Sequence, residues 1–359
     1  MKQLYPLLFA VVCCLLGCRD DEDPSAFILT KANFGYPEST TYDLVPEGQA
    51  VQYLVGVDGK IIYSTYLSEI RVFDSERAEE TDLMYQVRTF EIEVDGHLVY
   101  FCTDKGMFRL DLDGPQELER IASSCEQLEV VNDAIYYTTY DVDSSNLHSN
   151  VVYRLMDGDV QPLTDALPTT VSKLAALPSD ELMVLSAGIP KTIYRLDLQG
   201  KLIDAYDPSS YYFPEDYLYT HAWATITKDE LLLVGYSGFD YPSITSWSVD
   251  SGRWTDLLVP ETLEPQASGD GAKLDYLRNA IISEALALNG QLYVTTRNNE
   301  SCLGLFRFDL NGSRPFALDD FTVIQDTRIG EDQCLQGIYH DEGADALYLY
   351  TQRSVVKFQ

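Results

Sequence analysis

Residues 94–114 read VDGHLVYFCTDKGMFRLDLDG, and the end of that phrase returns as TIYRLDLQG at 192–200 and GLFRFDLNG at 304–312. In each copy apolar residues alternate with Arg and Asp, the period of a strand with one buried face. A glycine then marks the point where the chain turns. In the first copy Phe108, Leu110 and Leu112 are expected to face inward, with Arg109 and Asp111 on the other side. Asp111 and Gly114 are thereby assigned to the turn rather than to a metal or a phosphate. The front of the phrase is a hairpin signal: Asp95-Gly96 separates FEIEV from HLVYFCT, and both residue types suit the positive φ of a tight turn.

Working outward, the same signal recurs at Asp58-Gly59, Asn132-Asp133, Ser179-Asp180, Lys228-Asp229, Asn289-Gly290 and Asp341 to Asp345. An apolar strand leads into each turn (YLVGV, FEIEV, QLEVV, KLAAL, WATIT, EALAL, QGIYH). A more hydrophobic strand leads out (KIIYSTY, HLVYFCT, AIYYTTY, ELMVLSA, ELLLVGY, QLYVTTR, ALYLYTQ). A third strand follows after a loop, and a fourth, more polar one fits before the next unit. No long amphipathic helix interrupts the pattern. The fold class is all-β, built from repeats of ~40–60 residues that cannot bury both their faces alone.

Repeats of this length and order resemble the blades of the β-propeller superfamily, over about residues 27–359. Blade five, ending SWSVDSGRWTDL at 246–257, is similar to a kelch repeat without its double glycine. Blades two, four and six are more similar to sugar-oxidase or NHL-type blades, and WD40 signatures are absent. The resemblance implies a seven-bladed ring of four-stranded antiparallel blades, in which closure protects the strand edges. Six or eight blades are the alternatives, because 255–283 has room for more. The last unit has only three strands before Gln359, so AFILTKA at 26–32 is expected to complete it as its outer strand and join the two termini.

The N-terminus, MKQLYPLLFAVVCCLLGC, has one charge (Lys2) and then an apolar stretch too short to span a bilayer permanently. Its end, Leu15-Leu16-Gly17-Cys18, resembles a bacterial lipobox, which implies cleavage before Cys18 and lipidation of that cysteine. The expected organisation is a signal peptide at 1–17, a lipidated acidic tether at 18–25 and the propeller at 26–359. By resemblance to lipoprotein sorting rules, Arg19 after the cysteine favours the outer membrane of a Gram-negative envelope. Periplasmic and cell-surface orientation are both open.

The formal charge of −32 excludes a nucleic-acid footprint, which requires clustered Lys and Arg. It also argues against docking of the body on anionic lipid. Outside the leader and anchor (Cys13, Cys14, Cys18), four cysteines remain, an even number suited to disulfides in an exported protein. Set on the blade pattern, Cys102 and Cys302 end second strands, and Cys125 and Cys334 begin the following blades. The expected bridges are Cys102–Cys125 and Cys302–Cys334, with free buried thiols as the alternative.

In propellers the loops after second strands and the linkers between blades share one face. That face receives YDPSSYYFPEDYLYTHAW (206–223), GYSGFDYPS (235–243) and the long linker 260–282. Tyr211, Tyr212, Phe213, Tyr217, Trp223, Phe239 and Tyr241 are the candidate ligand- or partner-binding residues, since flat rings and nearby carboxylates suit a glycan or a peptide. Packing of these rings onto the body is the structural alternative. No HExxH, GxSxG, phosphate loop or CxxC occurs, and no catalytic or metal residue is assigned. DVDSSNLHSN (141–150) begins like a calcium loop but lacks the glycine at its sixth position and the acid at its twelfth. No cofactor is therefore expected, calcium being the one candidate. The leading expectation is a membrane-anchored binding or scaffold lipoprotein with a protein or glycan partner. An alternative is a propeller enzyme acting on a glycan or lactone through funnel carboxylates; a purely structural envelope protein is the third reading.

Overall fold

A computed structural model describes residues 34–46, 49–66, 69–115, 117–139, 151–165, 167, 170–186, 192–206, 223–227, 229–237, 241–258, 263, 271, 274–275, 277, 280–297, 305–324 and 335–359. These residues form seven four-stranded antiparallel sheets. Six sheets follow chain order from the axis outward; the seventh takes its outermost strand from the N-terminal side of the chain. Each innermost strand touches those of the blades before and after it, and the seventh touches the first. The structure is a closed seven-bladed β-propeller. Among the described residues no helix is long and apolar enough to cross a membrane.

The turn residues behave as their chemistry requires. Asp58-Gly59, Asn132-Asp133 and Asn289-Gly290 have positive φ at both positions, the mirror-image turn that matches strand twist. The repeated Arg-x-Asp-Leu-x-Gly phrase closes a second kind of turn, identically in blades 2, 4 and 6. The carboxylates of Asp111, Asp197 and Asp309 accept the N–H of Asp113, Gln199 and Asn311 at 3.0, 3.0 and 2.9 Å. The N–H of Gly114, Gly200 and Gly312 donates to the carbonyl of the same Asp. These are Asx turns, and they account for the recurrence of Asp and Gly. The apolar residues between them do face inward: Phe108, Leu110 and Leu112 lie in one buried cluster with Val55, Ile62 and Val72 of blade 1. On the other side Arg109 pairs with Glu119 of its own outer strand. Arg195 reaches across to blade 5, donating to the Gly252 carbonyl at 3.2 Å beside the Trp247 ring.

Closure of the ring differs in detail from expectation. The strand completing blade 7 is Ser39–Asp43, paired antiparallel with Ser354–Phe358 from Ser39↔Phe358 to Asp43↔Ser354. Residues 26–32 lie outside the described residues. Hydrophobicity pointed to AFILTKA, but an outermost strand has solvent along one edge and much of its surface, so the polar STTYD suits the place. Backbone bonds extend the seam at both ends, from Leu44 to the Arg353 carbonyl and between Glu38 and Gln359.

The hydrophobic core is distributed between blades. The largest cluster joins blades 4, 5 and 6 around Trp247, Trp254, Phe308, Phe316 and Phe321. Leu274 and Leu277, from the long linker between blades 5 and 6, are buried in it. That linker thus packs part of its length on the body rather than adding a blade.

Candidate functional site

The seven innermost strands are Val51–Val57, Thr89–Asp95, Leu128–Val131, Val171–Leu177, Trp223–Ile226, Ile281–Leu288 and Leu335–Asp341. They surround an axial cavity of about 570 Å³ to which every blade contributes. Each such strand is bonded to a partner on one side only, so its other edge carries backbone groups that need acceptors. Five of these strands carry a register shift at one equivalent place: Val51/Tyr53, Thr89/Glu91, Val171/Lys173, Ile282/Glu284 and Leu335/Gly337. A bulge re-aims the residue beside it. The shift brings Tyr53, Glu91, Lys173 and Glu284 to the wall of the cavity.

Side chains of one blade then serve the exposed edge of the next. Glu91 accepts the Leu128 N–H at 2.8 Å, and Glu284 accepts the Ile338 N–H at 2.7 Å. One step along the axis, Thr225 accepts the Ala287 N–H at 2.9 Å and Glu129 accepts that of Ala176. Lys173 cannot accept a hydrogen bond, and its Nζ turns back to Glu91 in a close ion pair. In blade 7 the equivalent residue is Gly337, where a Cβ would collide with the Glu284 carboxylate and the Tyr350 ring. Glycine there makes room for that pair.

The electrostatics follow from this enclosure. Burial pushes the Glu284 carboxyl up to about 8, against the opposing pull of the Ile338 N–H and the Tyr350 hydroxyl. Burial also raises Glu129 to about 7, with Glu91 adding to the rise and Lys173 opposing it. Glu93 is raised well above the carboxylate range, by burial first and then by Glu129 and Glu91. Burial works against the charge of Lys173, but Glu91, Glu129 and Glu93 together raise it. Glu93 differs from the other acids in one respect: it has no hydrogen-bond partner among the described residues.

The cavity has a mouth on the face named from the sequence. Tyr66 follows the second strand of blade 1, Arg88 lies on the linker into blade 2, and both line it. Arg88 stands 5.3 Å from the Phe90 ring centroid, and Tyr66 is half exposed. The same side carries a disulfide joining Cys102, in the second strand of blade 2, to Cys125 in the linker to blade 3. Their Cα atoms are 5.0 Å apart, and both residues are fully buried beside Leu128 and Tyr137.

Of the residues singled out from the sequence, Cys18, Cys302, Cys334, Tyr211, Tyr212, Phe213, Tyr217 and Phe239 lie outside the described residues. Trp223 and Tyr241 open the first and third strands of blade 5. The stretch 141–150 is also outside. Among the described residues no group of three or more His, Cys, Asp or Glu is placed to hold a metal ion. The axial residues Glu91, Glu93, Glu129, Lys173 and Glu284 were not singled out. Their signal is visible in FEIEV, QLEVV, KLAAL and EALAL: charges inside strands that otherwise read as core.

No protein-family model matches the chain, and no curated protein matches it by sequence. Among solved structures it is similar to the extracellular domain of a protein named as a hybrid two component system from B. thetaiotaomicron. The identity is 11% and the TM-score 0.60, over 90% of this chain and 40% of that one. It is similar to YCF48 bound to D1 peptide at 14% identity and a TM-score of 0.58, covering 90% of this chain and 97% of that one. A third likeness is to the computationally designed Ika8 protein, at 12% identity and a TM-score of 0.51, covering 88% and 98%. At such identities the likeness is one of fold.

Proposed function

We propose that this chain is a membrane-anchored binding or scaffold protein, held to the outer membrane of a Gram-negative envelope through a lipidated Cys18. Its loop-rich face takes a protein partner or a glycan. The observation that carries the reading is the asymmetry of the ring's two faces. On one face the first and second strands of each blade are joined by short turns, such as Val57 to Lys60 and Leu288 to Gln291. The other face receives the longest connections, from Tyr137 to Tyr153, Tyr206 to Trp223 and Leu258 to Ile281. Connections of that length in a compact fold are commonly functional. Tyr211, Tyr212, Phe213, Tyr217, Trp223, Phe239 and Tyr241 are the proposed contacts, with Cys302–Cys334 as a second bridge on the same rim. The similarity to a propeller solved with a peptide, and to an extracellular domain, supports a recognition role.

The test is capture from solubilised envelope with the immobilised chain. One stoichiometric protein, lost when Tyr211, Tyr212, Phe213 and Tyr217 are changed together to Ala, supports the reading; capture that survives the change removes this rim from it. Anchoring is tested separately: Cys18→Ala moves the protein from the membrane to the soluble fraction.

A second reading, hydrolysis or elimination on a glycan or lactone, is favoured by one observation. Two carboxyls of the innermost strands, Glu129 and Glu284, the latter lining the cavity, are raised to about 7 and about 8, where a group can serve as a general acid at neutral pH. Turnover of any such substrate that disappears in Glu129→Gln or Glu284→Gln would replace the binding reading.

A further inference from the structure

The axial cavity contains more acid than its own architecture uses. Glu91 is committed to Lys173 and the Leu128 N–H, Glu284 to the Ile338 N–H and Tyr350, and Glu129 to the Ala176 N–H. Glu93 is committed to nothing among the described residues, although it lines the cavity. The groups facing it are Glu91 and Asp95 of its own strand, Glu129 of blade 3, Lys173 of blade 4 and Tyr339 of blade 7. Lys173 is the single cation among them, and Glu91 already holds it. Glu93, partly exposed to the cavity, has neither a hydrogen bond nor a free counter-ion among the described residues, so the place is suited to a positive charge brought from outside.

From these contacts we infer that the axial cavity binds a primary ammonium group on an aliphatic stem, with Glu93 as its counter-ion. Glu129 adds to the negative charge around Glu93, and Tyr339 lines the same cavity. Apolar and aromatic side chains such as Val55, Ile92, Tyr53 and Ile338 line the path for the stem. A divalent metal is the poorer occupant, because it requires several oxygen ligands and no such cluster occurs among the described residues. The volume of about 570 Å³ lies within the range of small-ligand sites. The inference does not rest on the anchor or on the rim partner.

Calorimetric titration of the full chain at pH 7.5 tests it, with 1,4-diaminobutane and a lysine-containing peptide as separate probes. 1-Butanol, the same peptide with its amines acetylated, and calcium chloride are the controls. At least one amine should bind, the controls should not, and Glu93→Gln should weaken binding by at least tenfold while the melting temperature is retained. Binding of the diamine alone identifies a free amine as the ligand; binding of the peptide alone identifies a protein side chain. No heat with either amine, equal binding of calcium, or unchanged affinity in Glu93→Gln overturns the inference. Removing the rim aromatics leaves the titration unchanged, so failure of the partner reading and failure of this one are told apart.

Discussion

The first and second strands of a blade are joined by a tight turn yet obey opposite rules. The second strands are buried almost end to end: Leu98–Thr103, Glu181–Ser186 and Ala346–Thr351 expose little beyond their first residue. Each has a bonded strand on both sides and a neighbouring blade over both faces, so every backbone group is paired and every side chain can be apolar. The innermost strand has a bonded neighbour on one side and an open edge at the axis. There carboxylates and hydroxyls substitute for the missing strand, one blade supplying acceptors to the next. Charge at the axis is therefore structural first, and only the surplus is available to a ligand.

The comparison can be broken most severely in the second strands. Phe101→Ala, at a fully buried position between blades 1 and 2, should lose about 3–5 kcal/mol by urea unfolding. A loss below about 1 kcal/mol would mean that the blade interface is not the core. Removing the Cys102–Cys125 bridge by double substitution to Ser should cost about 3 kcal/mol, with an unchanged far-ultraviolet spectrum at 25 °C.

The inner strands are tested through pH. Glu284 has an ordinary value of 4.5 and a folded value of about 8. Below 4.5 it is protonated in both states and has no effect on stability. Between 4.5 and 8 the unfolded chain releases the proton while the folded chain retains it, so stability falls as pH rises and the loss is complete above about 8. Glu284→Gln should melt higher than the parent at pH 8.5 and with it at pH 5, since the amide oxygen can still accept the Ile338 N–H. Equal pH profiles would show that the carboxyl is not enclosed. The smallest effect is expected at the blade rim, where Asp111→Ala removes one Asx turn and should cost about 1 kcal/mol.

The sequence was most legible where structure is local. The paired turns, the inward face of Phe108, Leu110 and Leu112, and the seven-fold return of one phrase all follow from alternation and from the few residues that accept positive φ. It was less legible at the seam, where hydrophobicity favoured AFILTKA and the described strand is Ser39–Asp43, because an outer strand is identified by the partner it meets rather than by its composition. The axis was least legible. Glu91, Glu129 and Lys173 stand in three separate repeats, and nothing in their spacing brings them together.

Alternation, turn chemistry and repeat length thus determine by themselves that the chain folds into blades and which side of each strand is greasy. Only the closed ring decides which charges meet, since closure places the inner edges of distant repeats around one narrow axis. An acid on that axis takes its role from the backbone of the blade that follows it.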